Sequence, residues 1–346
     1  MKQYKTLDFF KFLAAVLIIV LHTLPSEDYS KVVTFGLRNI VCVIAVPFFF
    51  VCSGFVTFSK IESLPDRETK KSYIKKNLKR IALMYVIWSV IYFPFVIYQW
   101  TKTSFSYVSI VEYIRDFFFE GSYQTIWFLP ALFTATLLVY LLNCKFSYIK
   151  IIFIAIPFYC FALLGSSYWG LTQNFAILNK TFEIYYILFD TIKNGLLFGF
   201  IYVAIGAWLA KNKGLLKVPR SYCIVGTFVC FILVAVEALL HNYFNLNGKG
   251  CDTTLCLIPM SISIMIFALN MELPFSEKTC LMFRKCSLLM FLVQRLPMSI
   301  IDNFMTETIV VNNSLIYFFV VFLTTMLLSL SIIKLSAKWE ILKHLY

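Results

Sequence analysis

The sequence predicts an all-α fold, a polytopic bundle of transmembrane helices in a single domain. Of its 346 residues, 60% are hydrophobic and only 14% are charged, whereas soluble domains average roughly 45–50% and ~25%. The mean hydropathy is +0.80, although a soluble fold of this length would still need a polar shell. These observations exclude a soluble enzyme, a disordered regulator and a disulfide scaffold.

The positive charge of the chain lies in the gaps between its apolar runs. Lys and Arg number 31 against 18 Asp and Glu, which gives a formal net charge of +13. A nucleic-acid-binding protein instead carries a basic stripe on a soluble fold. We therefore expect a lipid bilayer with anionic headgroups as the partner of these cations, and no nucleic acid.

Ten apolar segments qualify as membrane spans, because about 20 apolar residues cross a bilayer as a helix. They lie at 7–24, 37–58, 81–100, 124–142, 151–168, 194–210, 222–240, 254–269, 287–301 and 314–335. The loops are too short for a second domain, so one transmembrane domain is predicted over 1–346. An amphipathic piece around 110–118 is expected to lie on the outer membrane surface.

The cations also predict the orientation of the bundle. With the N-terminus in the cytoplasm, 23 of the 31 Lys and Arg residues face the cytoplasm and 7 face outside, while Arg295 lies in the ninth span. Cytoplasmic loops of membrane proteins carry an excess of such residues. A multi-pass protein of the cell membrane with both termini in the cytoplasm is therefore predicted.

The first span contains three ionisable residues, Asp8, Lys11 and His22. Eleven residues at 100° each place Lys11 and His22 within ~20° of one helix face and ~16 Å apart. An imidazole can accept a proton near pH 7, so the stripe is a candidate catalytic face. A snorkelling lysine and a histidine bonded to a neighbouring helix would explain the pattern equally well.

Two further segments offer a cavity wall and an anion site. Ser53 follows Pro47 in the second span, where it can line a cavity or simply mark a helix contact. A basic run leads into the third span, and cations at a helix start suit phosphate or a positive-inside anchor. The candidate phosphate ligands in that run are Lys75, Lys76, Lys79 and Arg80.

The outer half of the bundle has its own polar candidates. Trp127 opens the fourth span, either as a cavity residue or as part of an interfacial aromatic belt. Asp190 and Lys193 can pair at i and i+3 on a helix, or offer opposite charges to a zwitterion, with Asn194 beside them. Gln294 and Arg295 lie inside the ninth span, where the arginine needs an internal partner.

Two other pairs have mainly structural interpretations. Glu237 and His241, at i and i+4 in the seventh span, are favoured as a structural pair. Cys251 and Cys256 are close enough in sequence for an external disulfide bond, but they can also lie on one helix. No cysteine spacing fits zinc or redox chemistry, and no metal is expected.

Taken in order, these segments resemble the acyltransferase-3 family of integral membrane O-acyltransferases. The likeness rests on Asp8, Lys11 and His22, on the run 47–55, on the Trp127-Phe128-Leu129 opening and on the span around Gly206. Within that family the runs 164–171 and 190–195 are most similar to the membrane half of VanT-type serine racemases. Gln294 stands where the family often has a second histidine, and Lys76, Lys79 and Arg80 replace its paired arginines.

The resemblance implies a donor, an acceptor and roles for these residues. Acetyl-CoA would enter from the cytoplasm with its phosphates near the basic run, while Asp8 and Lys11 shape the entrance. His22 would deprotonate an acceptor hydroxyl or carry the acyl group, with Ser53 and Trp127 lining the tunnel. The implied acceptor is a cell-surface or lipid-linked glycan.

The racemase-like relatives suggest an alternative, the binding or uptake of an amino acid such as L-serine. In that hypothesis Asp190 meets the ammonium group, and Lys193 or Arg295 meets the carboxylate. No inverted repeat of the kind found in transporters is evident. Racemisation is not expected, because it would need a pyridoxal-phosphate barrel after the last span.

Overall fold

A computed structural model describes residues 4–103, 105–250, 252–305 and 308–346. Throughout these ranges the chain is helical or irregular and contains no β-strand. The helices of the first half are α1 (Lys5–Thr23), α2 (Lys31–Gly36), α3 (Ala45–Glu62), α4 (Arg67–Lys102), α5 (Tyr107–Phe119), α6 (Phe128–Asn143) and α7 (Tyr148–Gly165). Those of the second half are α8 (Trp169–Thr172), α9 (Ala176–Leu188), α10 (Phe200–Lys211), α11 (Arg220–Tyr243), α12 (Leu257–Asn270), α13 (Glu277–Val293), α14 (Arg295–Phe304) and α15 (Ser314–Leu335).

Short 3-10 and π-helical turns extend several of these helices. The π-helical turn Leu37–Val41 and the 3-10 turn Cys42–Ile44 join α2 to α3, so that the second span runs continuously through Lys31–Glu62. A 3-10 turn at Gln124–Trp127 leads into α6, and a π-helical turn at Gly195–Gly199 leads into α10. The chain ends in a 3-10 helix at Glu340–Leu345.

The predicted helical bundle is confirmed, while the number of spans stays a prediction. Among the described residues, seven helical segments are long and apolar enough to cross a membrane. They are Lys5–Thr23, Lys31–Glu62, Arg67–Lys102, Gln124–Asn143, Tyr148–Gly165, Arg220–Tyr243 and Ser314–Leu335. Two shorter apolar helices, Gly195–Lys211 and Leu257–Asn270, cover the predicted sixth and eighth spans.

The predicted ninth span, 287–301, is wrong as a single helix. Helix α13 already begins at Glu277 and ends at Val293, and α14 starts after a one-residue break at Gln294. Pro297 gives the physical reason, since its ring lacks an N–H and collides with the carbonyl four residues earlier, which is that of Val293. Gln294 and Arg295 therefore lie at a helix break.

Long-range contacts show which parts of the chain lie together at each end of the bundle. At one end of the bundle, the Thr6 hydroxyl donates to the carbonyl of Met271 (2.6 Å), and Lys285 lies over the Tyr346 ring (5.4 Å). At the other end, the backbone N–H of Ser314 donates to Asp28 (2.6 Å). Both ends of the described chain thus lie at the same end of the bundle, which we call the inner end. Its cytoplasmic location stays a prediction.

Helices α3 and α10 form the closest helix pair of the core. A Cβ added to Gly54 would lie 2.5 Å from the carbonyl oxygen of Val203, and one added to Gly206 would lie 2.3 Å from that of Val51. Small residues at such crossings let two backbones approach closely, which is how helices in a bilayer gain packing energy. The glycine of the Ser53-Gly54 pair therefore has a packing role, while the serine faces a cavity described below.

We expect Gly206→Ala to destabilise the protein by about 1–3 kcal/mol, because the added methyl group forces α3 and α10 apart. Thermal unfolding of the purified protein in detergent measures this change. Gly36→Ala is the matched control, since a Cβ there meets nothing within 4 Å. Equal unfolding temperatures for the two variants would contradict the close crossing.

Candidate active site

A cavity of about 800 Å³ opens at the inner end of the bundle. Residues from α1, α3, α4, α6 and α13 form its wall, together with Lys213 from the segment after α10. Six cations line it, against the two carboxylates of Asp8 and Glu277. These cations are Lys11, Lys60, Arg80, Lys213, Lys278 and Arg284. The inner cavity is therefore a strongly positive pocket whose wall also carries many hydroxyl groups.

Asp8 is held in this wall by a two-pronged ion pair with Arg284. The Nε and Nη2 atoms of the arginine donate to the two carboxylate oxygens at 3.0 and 2.7 Å. Asp8 is only 2% exposed, so its charge is stabilised mainly by this guanidinium. Sequence reasoning counted Arg284 only as a cytoplasmic charge. The signal that could have identified Arg284 as a partner was Asp8 itself, because a carboxylate inside a span needs a cation nearby.

Lys11 and Ser53 face the same cavity. Lys11 lies one turn above Asp8 and forms no ion pair or hydrogen bond with any residue that the structure describes. Ser53 enters from α3. An unpaired ammonium group on a cavity wall is available to an anionic ligand.

Only one of the four predicted phosphate ligands lies on the cavity wall. Arg80 lines the cavity, but Lys75, Lys76 and Lys79 are exposed and do not line it. The phase of α4 explains this correction. Its cavity-lining residues recur at helical spacing on one face, at Tyr73, Asn77, Arg80, Ile81 and Met84, and the three lysines fall on other faces.

An aromatic layer closes the deep end of the cavity. Phe49 and Phe128 line the cavity, and Phe291 packs against both with ring centroids 5.8 and 5.1 Å away. Phe50 extends the layer, 4.5 Å from Phe128 and 6.2 Å from Trp127, and Phe198 completes it. Trp127, predicted to line a tunnel, is a half-buried member of this aromatic layer and does not line the inner cavity.

His22 lies beyond the aromatic layer, in the last turn of α1. The prediction that it shares one cavity with Lys11 is wrong, because the ring does not line the inner cavity. Protein surrounds the imidazole closely, yet the residue is exposed, while Ile18 and Thr23 beside it are buried. The imidazole therefore has accessible surface at the outer end of α1.

Three charged residues act electrostatically on the His22 ring. They are Arg295, Lys193 and Asp252, and with His22 we call them the outer charged cluster. Lys193 and Asp252 form an ion pair with each other. Arg295 donates to the sulfur of Met298 at 3.3 Å, and its Nε atom is buried without a partner. Sequence reasoning missed Asp252, which lies 59 positions from its partner.

Gln294 precedes Arg295 at the break between α13 and α14. It is fully buried, and its amide nitrogen donates to the carbonyl of Phe291 at 3.1 Å. The amide oxygen has no hydrogen-bond partner among the described residues. Because the side chain has no accessible surface, Gln294 is not presented to a substrate in this structure, contrary to its predicted place as a substrate ligand.

The predicted pairing of Asp190 with Lys193 is also wrong. The segment between α9 and the π-helical turn is not helical, so the i, i+3 geometry is absent. Asp190 instead accepts from Arg115 at 2.6 Å. Asn194 caps the π-helical turn by accepting from the N–H groups of Leu196 and Leu197. The combination of charges expected for a zwitterion is therefore not assembled.

Glu120 anchors the segment that carries Asp190. Its carboxylate accepts from the backbone N–H groups of Asp190 and Thr191 at 3.0 and 2.9 Å. Burial raises the pKa of Glu120 above its ordinary value, although these two N–H donors oppose the rise. Asp190 is thus held at the outer surface, where it serves the loop structure.

The structural interpretation of Glu237 agrees with its contacts. Its carboxylate accepts from the Tyr168 hydroxyl at 2.5 Å and from the N–H groups of Leu255 and Cys256 at 2.7 Å. The His241 ring lies 3.9 Å from the same carboxylate. Glu237 thus fixes the start of α12. Cys251, the other half of the possible disulfide, lies outside the described residues.

Comparisons with known proteins find one family and several long relatives. A family model described as an acyltransferase domain matches residues 4–334. Two amino-acid racemases of Enterococcus faecalis are 28% identical over 240 residues (69% of this chain and 32% of that protein) and 23% identical over 340 residues (98% and 47%). A serine/alanine racemase of Enterococcus gallinarum is 26% identical over 247 residues (70% and 33%). The chain thus spans less than half the length of these relatives, and no solved structure matches it.

We expect Asp8→Asn to destabilise the protein by about 1–3 kcal/mol. Breaking a buried ion pair costs about 3–5 kcal/mol, and the 41% exposed side chain of Arg284 lowers that figure. The double variant Asp8→Asn with Arg284→Gln should regain much of the loss, because no unpaired charge remains. Thermal unfolding measures both, with the exposed Lys71→Gln as control. A double variant no more stable than Asp8→Asn would contradict the pairing.

Proposed function

Since the chain belongs to the acyltransferase domain family, we propose that it is an integral membrane O-acyltransferase. It moves an acetyl group from cytoplasmic acetyl-CoA to a hydroxyl of a cell-surface or lipid-linked glycan. The observation that carries this proposal is the positive inner cavity, which ends at the aromatic layer on the path to His22. The donor occupies this cavity, and the acceptor reaches the outer charged cluster from the other side.

The inner cavity suits a large phosphorylated donor. Its volume of about 800 Å³ falls within the range of about 300–1,000 Å³ that is typical of ligand pockets. Arg80 and Lys213 provide positive charge for phosphate groups, and Lys11 lies on the wall contributed by α1. Arg284 is less available, because two of its three guanidinium nitrogens, Nε and Nη2, donate to Asp8.

The transfer itself is assigned to His22. The imidazole takes the proton of the acceptor hydroxyl, and the oxygen forms a bond with the thioester carbonyl carbon. The carbon–sulfur bond then breaks, and the thiolate leaves towards the cytoplasmic side. Lys11 and His22 are ~16 Å apart along α1, with the aromatic layer between them, so rotation of its rings must admit the thioester.

Binding of L-serine is the second hypothesis, and the site geometry does not favour it. The name racemase belongs to relatives more than twice as long as this chain. In this chain the expected ammonium ligand, Asp190, is bound to Arg115. Of the two expected carboxylate ligands, Lys193 is bound to Asp252, while Arg295 forms no ion pair with any described residue. L-serine therefore serves below as a competing probe.

Replacing Lys11, Arg80 and Lys213 with glutamine should raise the KM for acetyl-CoA about tenfold or more, with a smaller effect on kcat. Each lost charge-assisted hydrogen bond weakens donor binding by about 1.5–3 kcal/mol. Steady-state transfer of labelled acetyl groups to a glycan acceptor measures this. Lys75→Gln with Lys79→Gln is the matched control, because both residues face away from the cavity. A KM raised equally in the control would contradict the donor site.

His22→Ala should abolish acetyl transfer and leave acetyl-CoA binding intact, because the base lies beyond the donor cavity. Transfer and equilibrium binding are measured on the same purified protein. His344→Ala is the control, since His344 is exposed near the end of the chain and distant in sequence from the site. Retained transfer in the His22 variant would remove this residue from the mechanism.

A further inference from the structure

Arg295 has no acidic ion-pair partner among the residues that the structure describes. Its guanidinium contacts the sulfur of Met298, and its Nε–H is buried and unpaired. The nearest acid on its own helix, Asp302, accepts instead from the Tyr317 hydroxyl at 2.8 Å. Within the described part of the chain, Arg295 forms no ion pair. An arginine at membrane depth normally has a counter-charge, and none of the described residues supplies one through an ion pair.

Helix packing places Arg295 near the height of His22. Helices α1 and α13 both start at the inner end and pack side by side, and the Asp8–Arg284 pair fixes their relative height. At 1.5 Å per residue, Arg295 lies about 16 Å above Arg284, and His22 lies about 21 Å above Asp8. The two side chains are therefore within about one helical turn of the same level.

The other charges of the outer charged cluster compensate each other. Lys193 and Asp252 form an ion pair, so their sum is zero. A neutral His22 leaves Arg295 as the single uncompensated charge of the cluster. One free guanidinium with an unused Nε–H suits a planar monoanion, since its nitrogens can donate to both oxygens of a carboxylate.

We propose that the outer charged cluster binds a carboxylate group of the acceptor, through Arg295, beside the hydroxyl that His22 deprotonates. The acceptor is then an acidic sugar, such as a uronic acid, and not a neutral one. This inference rests on the proposed function for the role of the hydroxyl. The carboxylate site itself depends only on Arg295 and its surroundings, and binding alone can test it.

The test measures equilibrium binding of glucuronate and of its methyl ester to the full chain by calorimetry. The two probes have the same ring and differ in charge. The wild-type protein should bind glucuronate at least tenfold more tightly than the ester. Arg295→Gln should lose about tenfold to hundredfold in affinity for glucuronate and leave the ester unchanged. Arg295→Lys should retain part of the preference.

Lys180→Gln is the matched control, because Lys180 is an exposed lysine that forms no ion pair with any residue the structure describes. Equal affinity of the wild type for both probes, or an unchanged glucuronate affinity in Arg295→Gln, would overturn the carboxylate site. Tighter binding of L-serine than of glucuronate, lost in Arg295→Gln, would keep the site and contradict the glycan acceptor.

Discussion

The ion pair between Asp8 and Arg284 is the constraint on which the geometry of both sites depends. A carboxylate that is 2% exposed needs its cation in place, so the pair fixes the height of α1 against α13. With that height fixed, Lys11 lies on the inner cavity wall, and His22 comes near the level of Arg295. A slip of one turn along either helix would break the pair and shift the relative heights of those groups by about 5 Å.

The aromatic layer divides the molecule into two electrostatic environments. Inside it, six cations face an open cavity, which favours a polyanion. Outside it, one ion pair and one free arginine surround an accessible imidazole, which favours a monoanion. The phenylalanine rings of this layer pack closely against one another. They can also move through side-chain rotations, which are far faster than helix rearrangements.

Much of this architecture could be predicted from composition and helical spacing. The lengths of the apolar runs predicted a helical bundle. The ordered motifs indicated a family resemblance, which the family match confirms. The cavity positions of Asp8, Lys11 and Ser53 were also predictable, since polar residues in a span face the interior. The helix break at Gln294 was also predictable, because the ring of Pro297 collides with the carbonyl of Val293.

The remainder depends on contacts between distant segments. The sequence does not show which face of α4 turns towards the cavity. The exposed Lys75 and the cavity-lining Arg80 could therefore not be told apart within the basic run. The partners of Asp8 and Lys193 lie 276 and 59 positions away, where no local pattern predicts them.

The central claim is that a donor in the inner cavity acylates an acceptor beyond the aromatic layer. Proteoliposomes that hold the protein in one orientation test it most directly. Labelled acetyl-CoA is supplied on the side of the inner end, and a membrane-impermeant glycan acceptor on the opposite side. The account predicts label on the acceptor in this arrangement and none when the two are exchanged. Equal labelling in both arrangements, or serine accumulation without any labelling, would contradict it.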